Sequence, residues 1–372
     1  MSKIYVTSRS AFQSFLISPR LFYFSYCAQG TGITEKIVNH HLAIGTFVHE
    51  CCGQVMAGSS EADVFKKQSE IFLEEAEDRG IDSEFSPHIL LALSQGLAKT
   101  WLRARLPQIK KDFEILAVEQ ERELSIYDDT LQLLLPVRID AEIKCKYTGK
   151  HSALEMKTVS SLWPSTFAKY QFDIQPLLHT WAVQHVWGDC ENVMMEFLYK
   201  GYPAAKPNKN RLLLWNSVFT KGYEKLGVPP FTTSKTEYTC VYAIGRKVGW
   251  EAINVPDKFT QDEWHKLVGK DLDGVVSFKK IVRDTEVELP EFQHQLFEAH
   301  KRIVEGLGKL EVTTDPTERR AILNIYFPLA WHPYDEHLIG LNPDDENLLE
   351  SGDWIRREPH HPLEKEVKNQ LT

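Results

Sequence analysis

Asp140 and, after fourteen intervening residues, the triplet Glu155-Met156-Lys157 are the groups in this chain best placed to do chemistry. Both carboxylates lie inside apolar runs, Val137-Arg138-Ile139-Asp140-Ala141 and Ala153-Leu154-Glu155-Met156-Lys157-Thr158. A carboxylate in an apolar strand is costly unless its charge is compensated. Alternate residues of a strand share a face, so Glu155 and Lys157 point the same way. If the strands carrying Asp140 and Glu155 pair as a meander, Asp140 reaches that face too. Two carboxylates brought together repel unless a cation joins them, and a hard divalent ion such as Mg²⁺ takes oxygen ligands readily. An adjacent lysine can then orient a water or stabilise charge developing on a phosphate. An E-x-K triplet alone says little, because Glu142/Lys144 and Glu366/Lys368 have the same spacing. A rival register joins Asp128 to Glu142 and Lys144. It is disfavoured because Asp128 falls in a turn.

The elements that must position these groups follow from periodicity. Ser8 or Ser10 caps a first helix with Phe12, Phe15 and Leu16 on one face. A second helix starts near Leu42, with Ile44, Phe47, Val48, Cys51, Cys52 and Val55 at helical spacing. Helices are also predicted over Ala62 to Asp78 and Pro87 to Arg105. The pattern then becomes strand-like over Phe113 to Ile126 and Leu131 to Cys145, joined by the turn Asp128-Asp129-Thr130. A third strand, Ser152 to Thr158, follows Thr148-Gly149-Lys150. One long helix is expected from Ser165 to Trp187, a strand from Asn192 to Tyr199 and a helix from Pro290 to Leu307. This order predicts an α/β fold with a central mixed β-sheet flanked by helices and a helical N-terminal region. It reads as a single domain over 1–372: a helical part at 1–110, a catalytic α/β core at 111–200, an insertion or accessory region at 201–290, and a C-terminal helix and tail at 291–372.

At this point the chain resembles the RecB-like PD-(D/E)xK nucleases. Val137 to Ile143 and Leu154 to Thr158 resemble that family's two central motifs. Ser8-Arg9-Ser10, Phe15 and Ser18-Pro19-Arg20-Leu21-Phe22-Tyr23 resemble its opening helix. Gly45-Thr46-Phe47-Val48-His49-Glu50 resembles its G-x-x-x-H helix, and Asp173 to His179 its Q-x-x-x-Y helix. Five motifs in the family's order are far more specific than any one. The resemblance implies a restriction-endonuclease-like core. It implies that His49, Asp140 and Glu155, with the Met156 carbonyl, hold Mg²⁺, for which Mn²⁺ can substitute. Lys157 would assist the attacking water, and Gln175 would support the site or touch the DNA backbone. Two departures stand out. His179 occupies the family's tyrosine position, which leaves its role open. Ser18 precedes Pro19 where many relatives have a cysteine, and the three C-terminal cysteines of those relatives are missing. Thiolates are the expected ligands of an iron–sulfur cluster, so none is expected here, and something else must pin the chain's two ends together.

Composition narrows the remaining choices. The chain has 372 residues, 42% of them hydrophobic, enough to bury a core without disulfides, and a net charge of −9 that argues against coating DNA over the whole surface. Residues 201–250 run the other way, with eight lysines and arginines against two glutamates. Lys206, Lys209, Arg211, Lys221 and Lys225 are candidate DNA contacts, with Trp215, Phe219 and Tyr223 available to stack on bases. No C-x-x-C pair, secretory signal or membrane-length apolar run is seen, so a cytoplasmic protein with no membrane partner is expected. The leading expectation is a Mg-dependent deoxyribonuclease on single- or double-stranded DNA, an exonuclease of recombination, repair or phage DNA metabolism. The absence of a G-x-x-x-x-G-K-[ST] loop leaves unwinding to a helicase or recombination partner. The alternatives are a catalytically silent nucleic-acid-binding module and a partner-dependent subunit of a recombination or CRISPR-type complex.

Overall fold

The computed structural model of the chain describes residues 3–83, 87–160, 164–199, 243–244, 247–248, 276–330, 338, 349–350 and 353–357. The strands are β1 (Lys3–Val6), β2 (Ile33–Glu35), β3 (Val38–Asn39), β4 (Ile81–Asp82), β5 (Phe113–Tyr127), β6 (Leu131–Cys145), β7 (His151–Val159), β8 (Asn192–Tyr199), β9 (Ala243–Ile244), β10 (Lys247–Val248), β11 (Val276–Ile281) and β12 (Trp354–Arg356). The helices are α1 (Arg9–Ile17), α2 (Pro19–Tyr26), α3 (His40–Met56), α4 (Glu61–Arg79), α5 (Pro87–Ala104), α6 (Leu106–Asp112), α7 (Pro164–Gln171), α8 (Ile174–Trp187), α9 (Glu288–Val312) and α10 (Pro316–Tyr326). The protein is mixed α/β, with a central mixed sheet flanked by helices.

The meander anticipated from the sequence is present: β5, β6 and β7 run antiparallel in succession. The long β5–β6 hairpin turns at Asp128, whose Oδ1 accepts the N–H groups of Thr130 at 2.7 Å and Leu131 at 3.0 Å. Strand β6 carries the sheet. One of its edges pairs with β5 along almost the full length. The other pairs with two separate strands, parallel to β1 at Leu131–Leu134 and antiparallel to β7 at Ala141–Lys144. Residues 135–140 of that second edge pair with neither. β8 and then β11 continue the sheet beyond β7.

Two cores lie against this sheet. Residues of α3, α4, α5 and α6 pack with Ala141, Ile143, Leu154, Met156 and Met194. Residues of α8 and α9 pack with Ala153, Val193, Met195 and Phe197 and with Leu133, Leu135, Val137 and Ile139. Odd-numbered residues of β6 therefore serve different cores on either side of Asp140. Regular alternation would keep them on one, so β6 turns about its axis there.

Three expectations need correction. The single helix predicted over Ser165 to Trp187 is two, because the Asp173 carboxylate accepts the Gln175 N–H at 2.9 Å and caps a new helix. β1, with four residues, is too short to show a period and was not foreseen. α10 and the edge strand β11 were also missed; β11 falls in a region that matched no motif, with only its end residues buried. The basic stretch 201–242, with Lys206, Lys209, Arg211, Lys221 and Lys225, lies outside the described residues. No helix among the described residues is long and apolar enough to cross a membrane.

The two ends of the chain are joined by side chains. Ser18 is a helix cap: its Oγ accepts the Leu21 N–H at 3.2 Å, opening α2. Arg20, on that helix, donates to the Phe327 carbonyl and the Asn324 carboxamide oxygen, each at 2.8 Å. Phe22 stacks on Phe327 at a ring separation of 6.3 Å, and Tyr23 packs against it tilted, at 5.1 Å. His300 on α9 adds a second link. It is fully buried, between the Leu296 carbonyl at 2.7 Å and Thr7 Oγ1 at 2.9 Å.

Burial pushes the His300 ring down to about 4. Its folded value is thus below the unfolded one, near 6.5. The contribution of neutral His300 is complete above pH 6.5 and is lost as pH falls toward 4, at up to about 1.4 kcal/mol per pH unit. Replacing His300 with Leu is expected to lower the melting temperature at pH 8 and to flatten its fall between pH 6.5 and 4. Equal acid sensitivity in both proteins would contradict this.

Candidate active site

The β6–β7 ladder ends at the pair Ala141–Leu154. The next rung would set Asp140 opposite Glu155, on the same face of the sheet. Instead the strands part there. Asp140 Oδ2 reaches across and accepts the Met156 N–H at 2.6 Å. The main-chain N–H and C=O of a strand residue project from the same edge, so the Met156 carbonyl also faces this opening. Asp140 is 7% exposed and Glu155 2%, and each charge is compensated by groups brought from elsewhere.

His49 comes from α3, and its Nδ1 lies 3.1 Å from Asp140 Oδ1. Gly45, one turn earlier, faces β7, where a Cβ would make ordinary contact with Thr158 Oγ1 at 3.4 Å. Lys157 Nζ donates to Glu155 Oε1, and Gln175 Nε2 donates to the same oxygen at 2.5 Å. Gln175 is itself held by a relay. Arg9 on α1 grips both oxygens of Asp173, at 3.1 and 3.2 Å, and Asp173 caps the helix that Gln175 enters. His179, one turn on, is 3% exposed, with Nδ1 3.6 Å from Glu155 Oε2. All five predicted residues therefore meet, and His179 joins them.

The electrostatics follow from this enclosure. Burial works against charge at each group, and the neighbours decide the result. Asp140 is held below the usual carboxylate range: desolvation opposes this, but His49, Lys157 and the Met156 amide outweigh it. Desolvation opposes charge on His49 too, yet Asp140 raises its affinity for a proton. Lys157 is likewise raised, because Glu155 and Asp140 overcome its burial. His179 is lowered, chiefly by burial, and is the neutral imidazole of the group.

The sequence missed Glu119. It lies on β5 between Val118, which pairs with Ala141, and Gln120, which pairs with Ile139, and so faces Asp140 across the hairpin. Its φ of +51° is left-handed, a conformation that costs a non-glycine residue about 1–2 kcal/mol. Burial first, and then the charge of Asp140, raise its carboxyl to about 7 despite an ion pair with Arg138. Arg138 also reaches Glu50 at 3.3 Å. Nothing in the run Glu119-Gln120-Glu121 signals this arrangement. The nearest clue is Gly53, one turn after His49, where a Cβ would stand 2.9 Å from Glu119 Oε1.

The rival residues have other partners. Glu142 is clasped by Arg122 Nε at 2.6 Å and Nη2 at 2.8 Å, with Trp187 Nε1 at 2.7 Å. Asp128 caps its turn and pairs with Lys301 at 2.7 Å. Among the described residues no three His, Cys, Asp or Glu groups already stand together as metal ligands. Two buried atoms at the site nonetheless have no hydrogen-bond partner, Gln175 Oε1 and His179 Nδ1. The Gln175 oxygen is an acceptor, and a buried acceptor left this way costs about 1–3 kcal/mol; a water on a hydrated cation could supply its donor. The donor set of two carboxylates, an imidazole and a carbonyl oxygen fits Mg²⁺ or Mn²⁺.

No family model matches the chain, and no curated protein matches it. Among solved structures it is similar to the one titled "Crystal structure of SSO0001", at 16% identity and a TM-score of 0.22, over 45% of this chain and 64% of that one. So slight a likeness carries no functional weight.

Gly53→Ala is expected to destabilise the protein by about 1 kcal/mol: the added methyl meets Cγ of Glu119 at 3.1 Å as well as its Oε1 at 2.9 Å and shifts that side chain from its pairing with Arg138, which outweighs the gain of about 1 kcal/mol of alanine over glycine within a helix. Glu119→Gly in the same background should recover much of that loss, because it removes the obstacle and accepts the left-handed backbone. Urea titrations of the three proteins test both. A Gly53→Ala protein as stable as the original would contradict the crowding at Glu119.

Proposed function

We propose that this chain is a metal-dependent nuclease of the RecB-like PD-(D/E)xK kind, hydrolysing phosphodiester bonds in DNA. The observation that carries the reading is the meeting of His49, Asp140, Glu155, Lys157 and Gln175, from α3, β6, β7 and α8, where two strands part. Groups so far apart in sequence have no structural need to converge on one buried pair of carboxylates.

Each residue then has a task. Asp140, Glu155, neutral His49 and the Met156 carbonyl would hold Mg²⁺, with Mn²⁺ as a substitute. The ion would supply an acidified water and stabilise charge on the phosphate oxygens. Lys157, kept cationic by its carboxylate neighbours, offers its ammonium to the attacking water or to the phosphate. Gln175 fixes the rotamer of Glu155 through its amide, and Arg9 and Asp173 fix Gln175. The preferred form of the activity is an exonuclease of recombination, repair or phage DNA metabolism, working with a helicase or recombination partner. That choice rests on the motif resemblance.

End-labelled single- and double-stranded DNA offered with Mg²⁺, Mn²⁺ or EDTA tests the proposal. Cleavage is expected with either ion and not with EDTA. Glu155→Ala and Asp140→Asn should each lower the rate about a hundredfold or more. The asparagine retains an acceptor for the Met156 amide, so its effect reports lost charge and not lost fold. Asp140→Asn cleaving at the original rate would defeat the reading.

A further inference from the structure

The unpaired edge of β6 forms one wall of a cleft of about 260 Å³ that opens beside the proposed metal site. Its lining includes Ser8, Arg9, Ser10, Arg138, Gln175 and His179. We propose that this cleft is a phosphate subsite, holding a phosphate of the nucleic acid other than the one being hydrolysed. The inference rests on the nuclease reading and adds where the substrate's backbone is gripped.

Three features converge on an anion. First, α1 begins here: Ser8 Oγ takes the Ala11 N–H at 3.1 Å and the Ser8 carbonyl takes that of Phe12 at 3.0 Å. The helix supplies no acceptor for the two earlier amides, of Arg9 and Ser10, and the positive end of its dipole faces the cleft. Second, Arg9 spends only Nη2 on Asp173, while its buried Nε has no hydrogen-bond partner. A guanidinium has five donors, so it can hold Asp173 and a phosphate together. Third, Arg138 lines the cleft half-exposed, its side chain 54% accessible and steadied by Glu119 and Glu50. The cleft shares Gln175 with the metal site, which sets its ligand next to the scissile position. Either an internal phosphodiester or a terminal phosphate has the required chemistry.

Ser10 gives the cleanest test, because it is exposed and outside the catalytic group. An acid in the first turn of a helix favours the helix, so Ser10→Asp should fold at least as stably as the original while repelling a phosphate. Binding of a labelled single-stranded DNA 12-mer to the full chain would be followed by anisotropy in EDTA, where hydrolysis is stopped. The expected result is about tenfold weaker binding by Ser10→Asp at an unchanged melting temperature. Arg138→Gln should flatten the salt dependence, lowering the log–log slope by about 0.7, the value for one contact to a single strand. Running the 12-mer with a 5′-phosphate, a 3′-phosphate and neither assigns the bound group. A penalty specific to one end marks a terminal phosphate, and equal penalties mark an internal one. Ser10→Asp binding all three oligonucleotides as tightly as the original overturns the subsite. If it binds weakly while the original cleaves nothing with either metal, the subsite stands and the hydrolytic reading falls. If the original cleaves and Ser10→Asp binds normally, the subsite alone is lost.

Discussion

The parting of β6 and β7 after the pair Ala141–Leu154 is the feature on which the site depends. A regular ladder would have tied up the Met156 amide and carbonyl and pressed two buried carboxylates together. Here the Asp140 side chain takes the amide, which frees the strand edge and fixes the orientation of its own carboxylate. On the same side of β6, the stretch between β1 and β7 stays unpaired, and α1 and α8 bring their ends to it. The left-handed residue Glu119 and the change of core-facing direction along β6 fall at the same level. The opening is therefore built into the sheet from both sides.

Buried charge imposes the second constraint. Away from the site, carboxylates in the sheet are held by arginine and indole donors: Glu142 by Arg122 and Trp187, Glu196 by Arg105 and Trp101. Such arrangements are saturated, because a bidentate guanidinium and an indole fill most of the carboxylate's acceptor sites. Asp140 and Glu155 are matched differently. Their partners are an imidazole, an amide, an ammonium and a carboxamide, in a pocket where acceptor and ring nitrogen still lack partners. Exchangeable partners around an incompletely satisfied pair are what a cation site requires; saturated pairs serve only the fold.

Much of this was legible in the sequence, and the failures have physical causes. Asp140 and Glu155 stood out because ionised groups interrupt apolar strands, and the meander followed from two turn signals. His49 and Gln175 were reached through motif order; local spacing would not have found them, since a lone helical histidine or a glutamine stripe has an ordinary surface meaning. Asp173 was read as helix interior, although its carboxylate competes for backbone amides and restarts the helix. Glu119 was invisible, because its importance comes from a backbone angle and a cross-strand neighbour. Ser18, seen as a missing cluster ligand, is a helix cap, and the pinning of the two ends was unreadable because Arg20 and Phe327 meet only in three dimensions.

The central claim is that one divalent cation belongs between β6 and β7. Anomalous diffraction from crystals of the protein soaked in Mn²⁺ tests it directly. The account predicts a manganese peak within about 2.0–2.6 Å of carboxylate oxygens from both Asp140 and Glu155, with the His49 imidazole and the Met156 carbonyl turned toward it and Lys157 withdrawn to the side of Glu155. Manganese bound elsewhere, with Asp140 still on the Met156 amide and Glu155 still on Lys157 and Gln175, would contradict it.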